Sequence, residues 1–243
     1  MFTEQRGFRP PKSNIQIWRY TNFEKFIDLL DNEELFFCRL DKFQDPFEGI
    51  FRLKDYENTK VLWRDEHKIK QFYFANCWHQ NKFQSDAMWK IYLDTNNGIA
   101  IKSSFDKLVK SLEETEEEIH ISQIRYINQN TTTFNELMNE NINEFGSSLN
   151  QFTYKRIAFE HEKELKLYYI DMPIPGTVAN AEEREPLNYR KIKVNLNELV
   201  QEIVISPLAD KWFKDLVERL LKNYKKNYTV SQSMLYELIK EGK

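Results

Sequence analysis

The segment from His161 to Tyr169, HEKELKLYY, carries two carboxylates and a cation at the spacing of a β-strand. Because successive strand side chains point to opposite faces, the apolar positions would face the core. Glu162, Glu164 and Lys166 would then stand in a row on the other face. In a cleft such a row suits general-base chemistry, which makes Glu164 and Glu162 catalytic candidates. On a solvated face the same row would be an ordinary set of surface charges without a catalytic role.

Arg19 ends an apolar strand face in the segment IQIWR, where a guanidinium needs a carboxylate or an anionic ligand. One interpretation pairs it with an acid of the loop from Asp41 to Gly49. The other makes Arg19 and its neighbour Tyr20 contacts for a bound ligand. Lys155 and Arg156 pose the same choice, since they could pair with nearby carboxylates or bind phosphate oxygens.

A helix predicted from Ser85 onward places Met88, Trp89 and Tyr92 on one face by i, i+3 and i+4 spacing. Aromatic stripes of this kind usually belong to a core. This stripe also carries a hydroxyl and an indole N–H, which suit a pocket where a ring stacks. Ser85, Trp89 and Tyr92 are therefore candidate ligand-binding residues, beside the core interpretation.

His79 follows a predicted central strand and could act as a base, a hydrogen-bond donor or a metal ligand, or fill a structural role. Zinc bound by Cys77, His79 and His161 is disfavoured, because strand alternation brings only two of them together. The acids in the loop from Asp41 to Gly49 lack the spacing of a calcium site and favour a structural turn. The sequence therefore predicts no tightly bound metal.

The elements that must position these residues alternate between short strands and helices. They include strands from Phe72 to His79 and from Ile119 to Ile127, and a closing helix from Ser233 to Ile239. No repeat or linker divides the chain. We expect a single α+β domain over residues 1–243, with a mixed, mostly antiparallel sheet and flanking helices.

Composition narrows the class of protein. Of the 243 residues, 41% are hydrophobic and 30% charged, as in a folded globular protein. Only 6 glycines occur, and neither G-x-G-x-x-G nor a P-loop motif is present. The net charge of −3 does not indicate nucleic-acid binding. Without a signal sequence or a membrane span, and with two cysteines in apolar contexts, we expect a cytoplasmic protein. No feature assigns an oligomeric state.

A series of short motifs resembles the bacterial family called domain of unknown function 2971. The motifs are Trp18–Thr21, Lys42–Phe43, Asp45–Glu48, Cys77–His79, Ser85, Ala87–Trp89, Tyr92, Gly98–Lys102, Lys155–Arg156, Phe159, His161–Glu164 and Ile203–Pro207. The resemblance covers about residues 17–233. The family's last strand commonly reads E-x-E-x-R, whereas this chain has Lys166, which holds a carboxylate less rigidly than arginine.

The resemblance implies no established activity, but the family's layout is similar to that of ADP-ribosyltransferase-like domains. By that analogy Arg19 would hold a pyrophosphate and Trp89 or Tyr92 would stack on nicotinamide. Glu164 would stabilise an oxocarbenium-like centre. The leading hypothesis is a bacterial enzyme that cleaves or transfers part of a nucleotide such as NAD. Convergence of Arg19, Trp89 and Glu164 on one pocket would support it.

Two other interpretations stay open, so the sequence alone does not decide whether the chain is an enzyme. One is a non-catalytic interaction or sensor module, in which the charged row is a structural ion-pair network. The other is metal-dependent hydrolysis with Asp45, Glu48, His79 and Glu164 as the metal-site residues.

Overall fold

A computed structural model describes residues 1–5, 7–49, 53–55, 66–93, 96–145, 150–171 and 187–237. Its packing divides the chain into two compact units. Unit 1 comprises residues 1–12, 35–77 and 115–192, and unit 2 comprises residues 13–34, 78–114 and 193–243. The expectation of one domain over residues 1–243 stays a prediction.

Short strands and helices alternate along the described residues. The strands are β1 (Gln16–Asn22), β2 (Glu34–Arg39), β3 (Tyr73–Gln80), β4 (Gly98–Ser104), β5 (His120–Gln123), β6 (Arg125–Ile127), β7 (Tyr154–Arg156), β8 (Glu164–Ile170), β9 (Tyr189–Lys193), β10 (Glu202–Ile205) and β11 (Thr229–Gln232). The α-helices are α1 (Phe23–Asn32), α2 (Glu66–Ile69), α3 (Asp86–Tyr92), α4 (Phe105–Ser111), α5 (Phe134–Phe145), α6 (Leu196–Leu199) and α7 (Lys211–Asn223). None of these helices is long and apolar enough to cross a membrane.

The sheet of unit 1 has the hydrogen-bonded order β9-β2-β3-β8-β5. β2 and β3 are antiparallel with Cys38 opposite Ala75, and β5 is antiparallel to β8. A separate parallel pair, β6 with β7, sets Tyr126 opposite Lys155. The core contains Phe8, Leu40, Ala75, Ile124, Phe152 and Tyr168. β8 lies between β3 and β5, and both of its faces are buried from residue 164 to residue 168.

The strands of unit 2 are ordered around β1, which pairs with β4 and with the last residues of β3, where Trp18 lies opposite His79. β4 is antiparallel to β10, and β10 is parallel to β11. The core contains Trp18, Tyr20, Met88, Trp89, Ala100 and Val204. Among the described strands most pairings are antiparallel, and those of β10 with β11 and of β6 with β7 are parallel. The predicted α+β class with a mixed, mostly antiparallel sheet and flanking helices is confirmed.

The structure has two strands in a segment where the sequence predicts one. The segment from Ile119 to Ile127 divides into β5, which pairs with β8, and β6, which pairs with β7. Between them the N–H of Ile124 donates to the carbonyl of Glu164 at 3.0 Å. The chain changes its partner strand at Ile124. One alternating sequence pattern therefore covers two strands that pair with different partners.

The helix predicted from Ser233 onward is wrong over its described residues. Ser233 follows β11, and its N–H donates to the Ile205 carbonyl at 2.9 Å, which continues the pairing with β10. The Ser233 hydroxyl then accepts the N–H of Leu235 at 3.4 Å and closes a turn. Met234 and Leu235 are exposed, so this segment lacks the buried face that a packed helix needs. Residues 238 and 239 lie outside the described residues.

Candidate functional site

Charged side chains of unit 1 meet in a largely buried group, which we call the charge cluster. Its members are Glu48, Lys155, Glu162, Glu164 and Lys166. Glu164 is 4% exposed and Lys166 is 1% exposed. The polar face of β8 is therefore not a solvated face. It belongs to the interior of unit 1.

A glycine-dependent loop brings Glu48 into the charge cluster. Asp45 Oδ1 accepts the N–H of Phe47 at 3.0 Å, which is the structural turn that the sequence predicts. Gly49 follows with a φ of 70°, and a Cβ there would lie 2.4 Å from Cδ1 of Phe152. Glycine alone accommodates both this φ and this close approach. The loop therefore holds Glu48 at a fixed place against the core.

Glu162 and Glu164 come from different elements, which corrects the expected strand through both of them. Residues Ile157–Glu162 form a 3-10 turn, and Lys163 ends it in the left-handed conformation with a φ of 42°. β8 begins only at Glu164. The two carboxylates therefore do not share a strand face. They meet because Lys155 contacts both of them.

Lys155 is the centre of the charge cluster. Its Nζ lies 2.6 Å from Oε2 of Glu162, 3.1 Å from Oε2 of Glu164 and 3.5 Å from Oε2 of Glu48. The Phe159 ring centre is 4.8 Å from the same nitrogen. Burial lowers the pKa of Lys155, but the carboxylates of Glu164 and Glu162 outweigh it and raise that pKa above its usual value. Lys155 is therefore a permanent cation.

Lys166 joins Glu48 and Glu164 from the other side. It contacts Oε1 of Glu48, and its Nζ lies 3.2 Å from Oε2 of Glu164. Burial lowers the pKa of Lys166 to about 7. Burial also raises the pKa of Glu164 to about 7, against the opposing ammonium of Lys155. Both groups change protonation near neutrality, the range in which general acids and bases work.

The thiol of Cys77 extends the charge cluster toward β3. It donates a hydrogen bond to the Glu164 carboxylate, which lowers the pKa of that carboxyl, and it interacts electrostatically with Lys155. Cys77 is a half-buried cysteine that forms no disulfide. The sequence analysis disfavoured a zinc-binding role for it and missed this contact. The contact depends on the pairing of β3 with β8, for which the spacing along the chain gives no signal.

Arg156, a predicted ligand-binding residue, lies beside the charge cluster. Its Nη2 is 2.8 Å from Oδ1 of Asp45. Its guanidinium carbon lies 5.0 Å from the ring centre of Phe47 and 5.1 Å from that of Phe159. The side chain is still 33% exposed. The guanidinium is thus held in place, and a third of the side chain is exposed to solvent.

The predicted ligand-binding residues of unit 2 are largely core residues. Tyr20 and Trp89 are buried, with ring centres 4.9 Å apart and planes nearly perpendicular. The Tyr20 hydroxyl accepts the N–H of Ser85 at 2.9 Å. Ser85 caps α3 as predicted, because its side chain accepts the N–H of Met88 at 3.4 Å. Tyr92, at the end of α3, is 43% exposed.

Arg19 and Trp89 do not share a surface. Side chains alternate along β1, so Arg19 points to the face opposite Trp18 and Tyr20. Tyr20 packs with Trp89, and the expected convergence of Arg19 with Trp89 is therefore not observed. His79 is also buried in unit 2, with its ring centre 6.1 Å from that of Tyr20.

The acids of the suggested metal site are bound to cations instead. Glu48 pairs with Lys166, Glu164 pairs with Lys155, and Asp45 pairs with Arg156. Within the described ranges, no group of three or more His, Cys, Asp or Glu side chains could hold a metal ion. The geometry of these carboxylates is that of ion pairs.

A protein-family model matches part of this chain. No curated protein and no solved structure matches this chain. The model of the family described as protein of unknown function (DUF2971) matches residues 88–167, a stretch that runs from α3 into β8 and contains four of the five charge-cluster residues. The match supports the resemblance seen in the motifs, and over these residues the chain is similar to the DUF2971 family.

Proposed function

We propose that this protein is a bacterial cytoplasmic enzyme that cleaves or transfers part of a nucleotide, with NAD as the first candidate substrate. Glu164 is its general acid–base residue. The observation that supports this role is a buried carboxyl between Lys155 and Lys166, with a pKa raised to about 7 by burial. Such a carboxyl can accept a proton and release it at neutral pH.

Glu162 supplies a second carboxylate beside Glu164, and Lys155 contacts both of them. Lys155 lies 2.6 Å from Glu162 and 3.1 Å from Glu164. The side chain of Glu162 is 12% exposed and that of Glu164 is 5% exposed, so the two carboxyl groups have different environments. Two carboxyl groups in unlike environments are the arrangement that separates acid and base roles in an enzyme.

A nucleotide substrate is favoured by the partly exposed side chain of Arg156. Guanidinium groups bind phosphate oxygens through paired N–H donors, and phenyl rings offer surfaces on which a base can stack. Arg156 lies between Phe47 and Phe159 and is adjacent to Lys155 in β7. The Phe159 ring centre also lies 4.8 Å from Nζ of Lys155, so a phosphate held by Arg156 would lie near the lysine that binds Glu164.

Nucleotide turnover tests this proposal. The purified protein is incubated with NAD and with a panel of nucleoside phosphates, and products are separated by chromatography. We expect Glu164→Gln to reduce turnover by at least about a hundredfold, the scale of general acid–base catalysis. Glu202→Gln is the matched control, because Glu202 also pairs with a lysine, Lys102 at 3.0 Å, but lies in unit 2. Its turnover should equal that of the wild type.

The rival function is a non-catalytic interaction or sensor module. It is favoured by the fact that each carboxylate of the charge cluster contacts a lysine, as in a structural network. In that case no nucleotide is turned over. Glu164→Gln would then lower the free energy of unfolding by about 3–5 kcal/mol, since Lys155 and Lys166 lose a buried partner.

The predicted ligand contacts of unit 2 need a separate test, which Tyr92 provides. Tyr20, Ser85 and Trp89 are packed or hydrogen-bonded within the unit, so replacing them would disturb the fold. Tyr92 is exposed. If unit 2 binds NAD through it, saturating NAD should raise the Tm of the wild type by a few degrees but not that of Tyr92→Ala. Equal shifts would remove Tyr92 from the contacts.

A further inference from the structure

Cys77 is a nucleophilic side chain that the acid–base proposal leaves unused. Strand alternation places it on the same face of β3 as Ala75, and places Glu164 on the same face of β8 as Tyr168. Ala75 and Tyr168 pack together in the core of unit 1. The Cys77 thiol is therefore on the side of the sheet where the charge cluster lies, and it donates to Glu164.

The thiol, the carboxylate and an ammonium group form a connected chain. Cys77 is hydrogen-bonded to Glu164, and Glu164 Oε2 lies 3.1 Å from Nζ of Lys155. The reactive form of a cysteine is the thiolate, and a base in contact with the thiol generates it. A third group that orients the base completes the usual constellation of an activated nucleophile. Lys155 fills that position.

We infer that Cys77 is the covalent nucleophile of an acyl-transfer centre and attacks the carbonyl carbon of an amide or ester. Glu164 accepts its proton, and Lys155 orients the Glu164 carboxylate. A carbonyl substrate fits because the Glu164 carboxyl can take the thiol proton during the attack and return it to the leaving amine or alcohol. The inference rests on the acid–base role of Glu164 proposed above. It does not require a nucleotide.

The reaction has two steps. Sulfur bonds to the carbonyl carbon while the thiol proton moves to Glu164, and the carbonyl oxygen becomes an oxyanion. When the C=O bond reforms, the bond to the leaving amine or alcohol breaks, and Glu164 returns its proton to that group, which leaves a thioester on Cys77. Water then adds to the thioester carbon and gives a proton to Glu164. Expulsion of the sulfur releases the carboxylic acid, and the thiolate regains its proton from Glu164.

Cys38 is an internal control for the reactivity of Cys77. It lies on β2, opposite Ala75 of β3, and is also a half-buried cysteine that forms no disulfide. Its thiol lies 3.6 Å from the backbone carbonyl oxygen of Arg39, to which it donates. Iodoacetamide labels both thiols in one sample, and peptide mass spectrometry reports the rate at each position.

At pH 7 we expect Cys77 to be alkylated at least about tenfold faster than Cys38. The rate at Cys77 should rise with pH around a midpoint near 7, because losing one proton from the thiol–carboxyl pair creates the reactive state. In Glu164→Gln the midpoint should move up toward about 8.5, the ordinary value for a thiol. Glu202→Gln should leave the midpoint unchanged.

An acyl probe tests the covalent step itself. Incubation with p-nitrophenyl acetate followed by acid quenching should leave an acetyl group on Cys77 in the wild type and in Cys38→Ser. Glu164→Gln should slow the formation of this adduct.

Equal alkylation of the two cysteines, a Cys77 profile unchanged by Glu164→Gln, or a missing acetyl group on Cys77 would overturn the inference. The comparison of the two thiols uses the wild type alone, so it stands even if a variant fails to fold. If NAD is not turned over but Cys77 remains reactive, the nucleotide proposal is wrong and the inference about Cys77 stands.

Discussion

The hydroxyl of Tyr126 accepts a hydrogen bond of 2.8 Å from the backbone N–H of Glu164. Tyr126 belongs to β6, and the parallel pairing of β6 with β7 sets it opposite Lys155. Burial raises the pKa of Tyr126 above its usual value, so the phenol stays neutral. One aromatic side chain therefore fixes the first residue of β8 beside the lysine that its carboxylate binds.

Tyr126→Phe should remove this anchor. The ring would still pack, but the N–H of Glu164 would lose its acceptor, and we expect the free energy of unfolding to fall by about 1–3 kcal/mol. Urea titration measures the change. Tyr189→Phe is the control. Tyr189 is 52% exposed, so losing its hydroxyl should change the free energy of unfolding little. Similar losses in the two variants would contradict the role of the Tyr126 hydroxyl.

The pH dependence of stability should report the Glu164 carboxyl. Burial raises its pKa from 4.5 to about 7, so the folded protein retains a proton that the unfolded chain releases. The stabilisation is complete below pH 4.5 and is lost as the pH rises through 7. Relative to Glu164→Gln, the wild type should therefore lose about 3 kcal/mol between pH 4.5 and pH 8. Urea titrations of both proteins at each pH test this, and a constant difference would refute it.

Gly49→Ala should destabilise unit 1. The new Cβ meets Phe152 and must also adopt a φ of 70°, which together should cost about 2–4 kcal/mol. Gly98→Ala is the matched control. Its Cβ meets only the side chain of Leu93, and no left-handed φ is required, so the cost should be smaller. If the two variants unfold at the same urea concentration, the loop does not fix Glu48 in the way described.

Lys163 should tolerate glycine better than alanine. Its φ of 42° strains any residue with a Cβ, whereas glycine adopts this conformation freely. Both replacements remove the lysine side chain, so the comparison isolates the backbone. Lys163→Gly should be more stable than Lys163→Ala by about 1 kcal/mol in urea titrations. The reverse order would mean that the flexibility of glycine in the unfolded chain dominates.

Local features of the fold were predictable where a residue and its hydrogen-bond partner are close in sequence. Ser85 caps α3 through the N–H of Met88, three residues ahead, and Asp45 turns its loop through the N–H of Phe47. Both side chains are short acceptors in positions where they commonly satisfy backbone donors. The α+β class follows from the alternation of such local elements.

The assembly of the candidate site was only partly predictable. Glu164 and Lys166 fall on β8 as the strand pattern indicates. The separation of Glu162 was missed because a left-handed lysine at position 163 has no sequence signal. The contact of Cys77 with Glu164 was missed because it depends on which strands pair, and an alternating pattern does not name its partner strand.

The composition of the charge cluster has a consequence for proton balance. Its three glutamates and two lysines, all ionised, would leave one uncompensated negative charge in a buried place. A low-dielectric interior disfavours such an excess, and a single proton is the smallest counter-ion that removes it. Electroneutrality therefore favours one bound proton in the charge cluster, which its titratable side chains can take up and release.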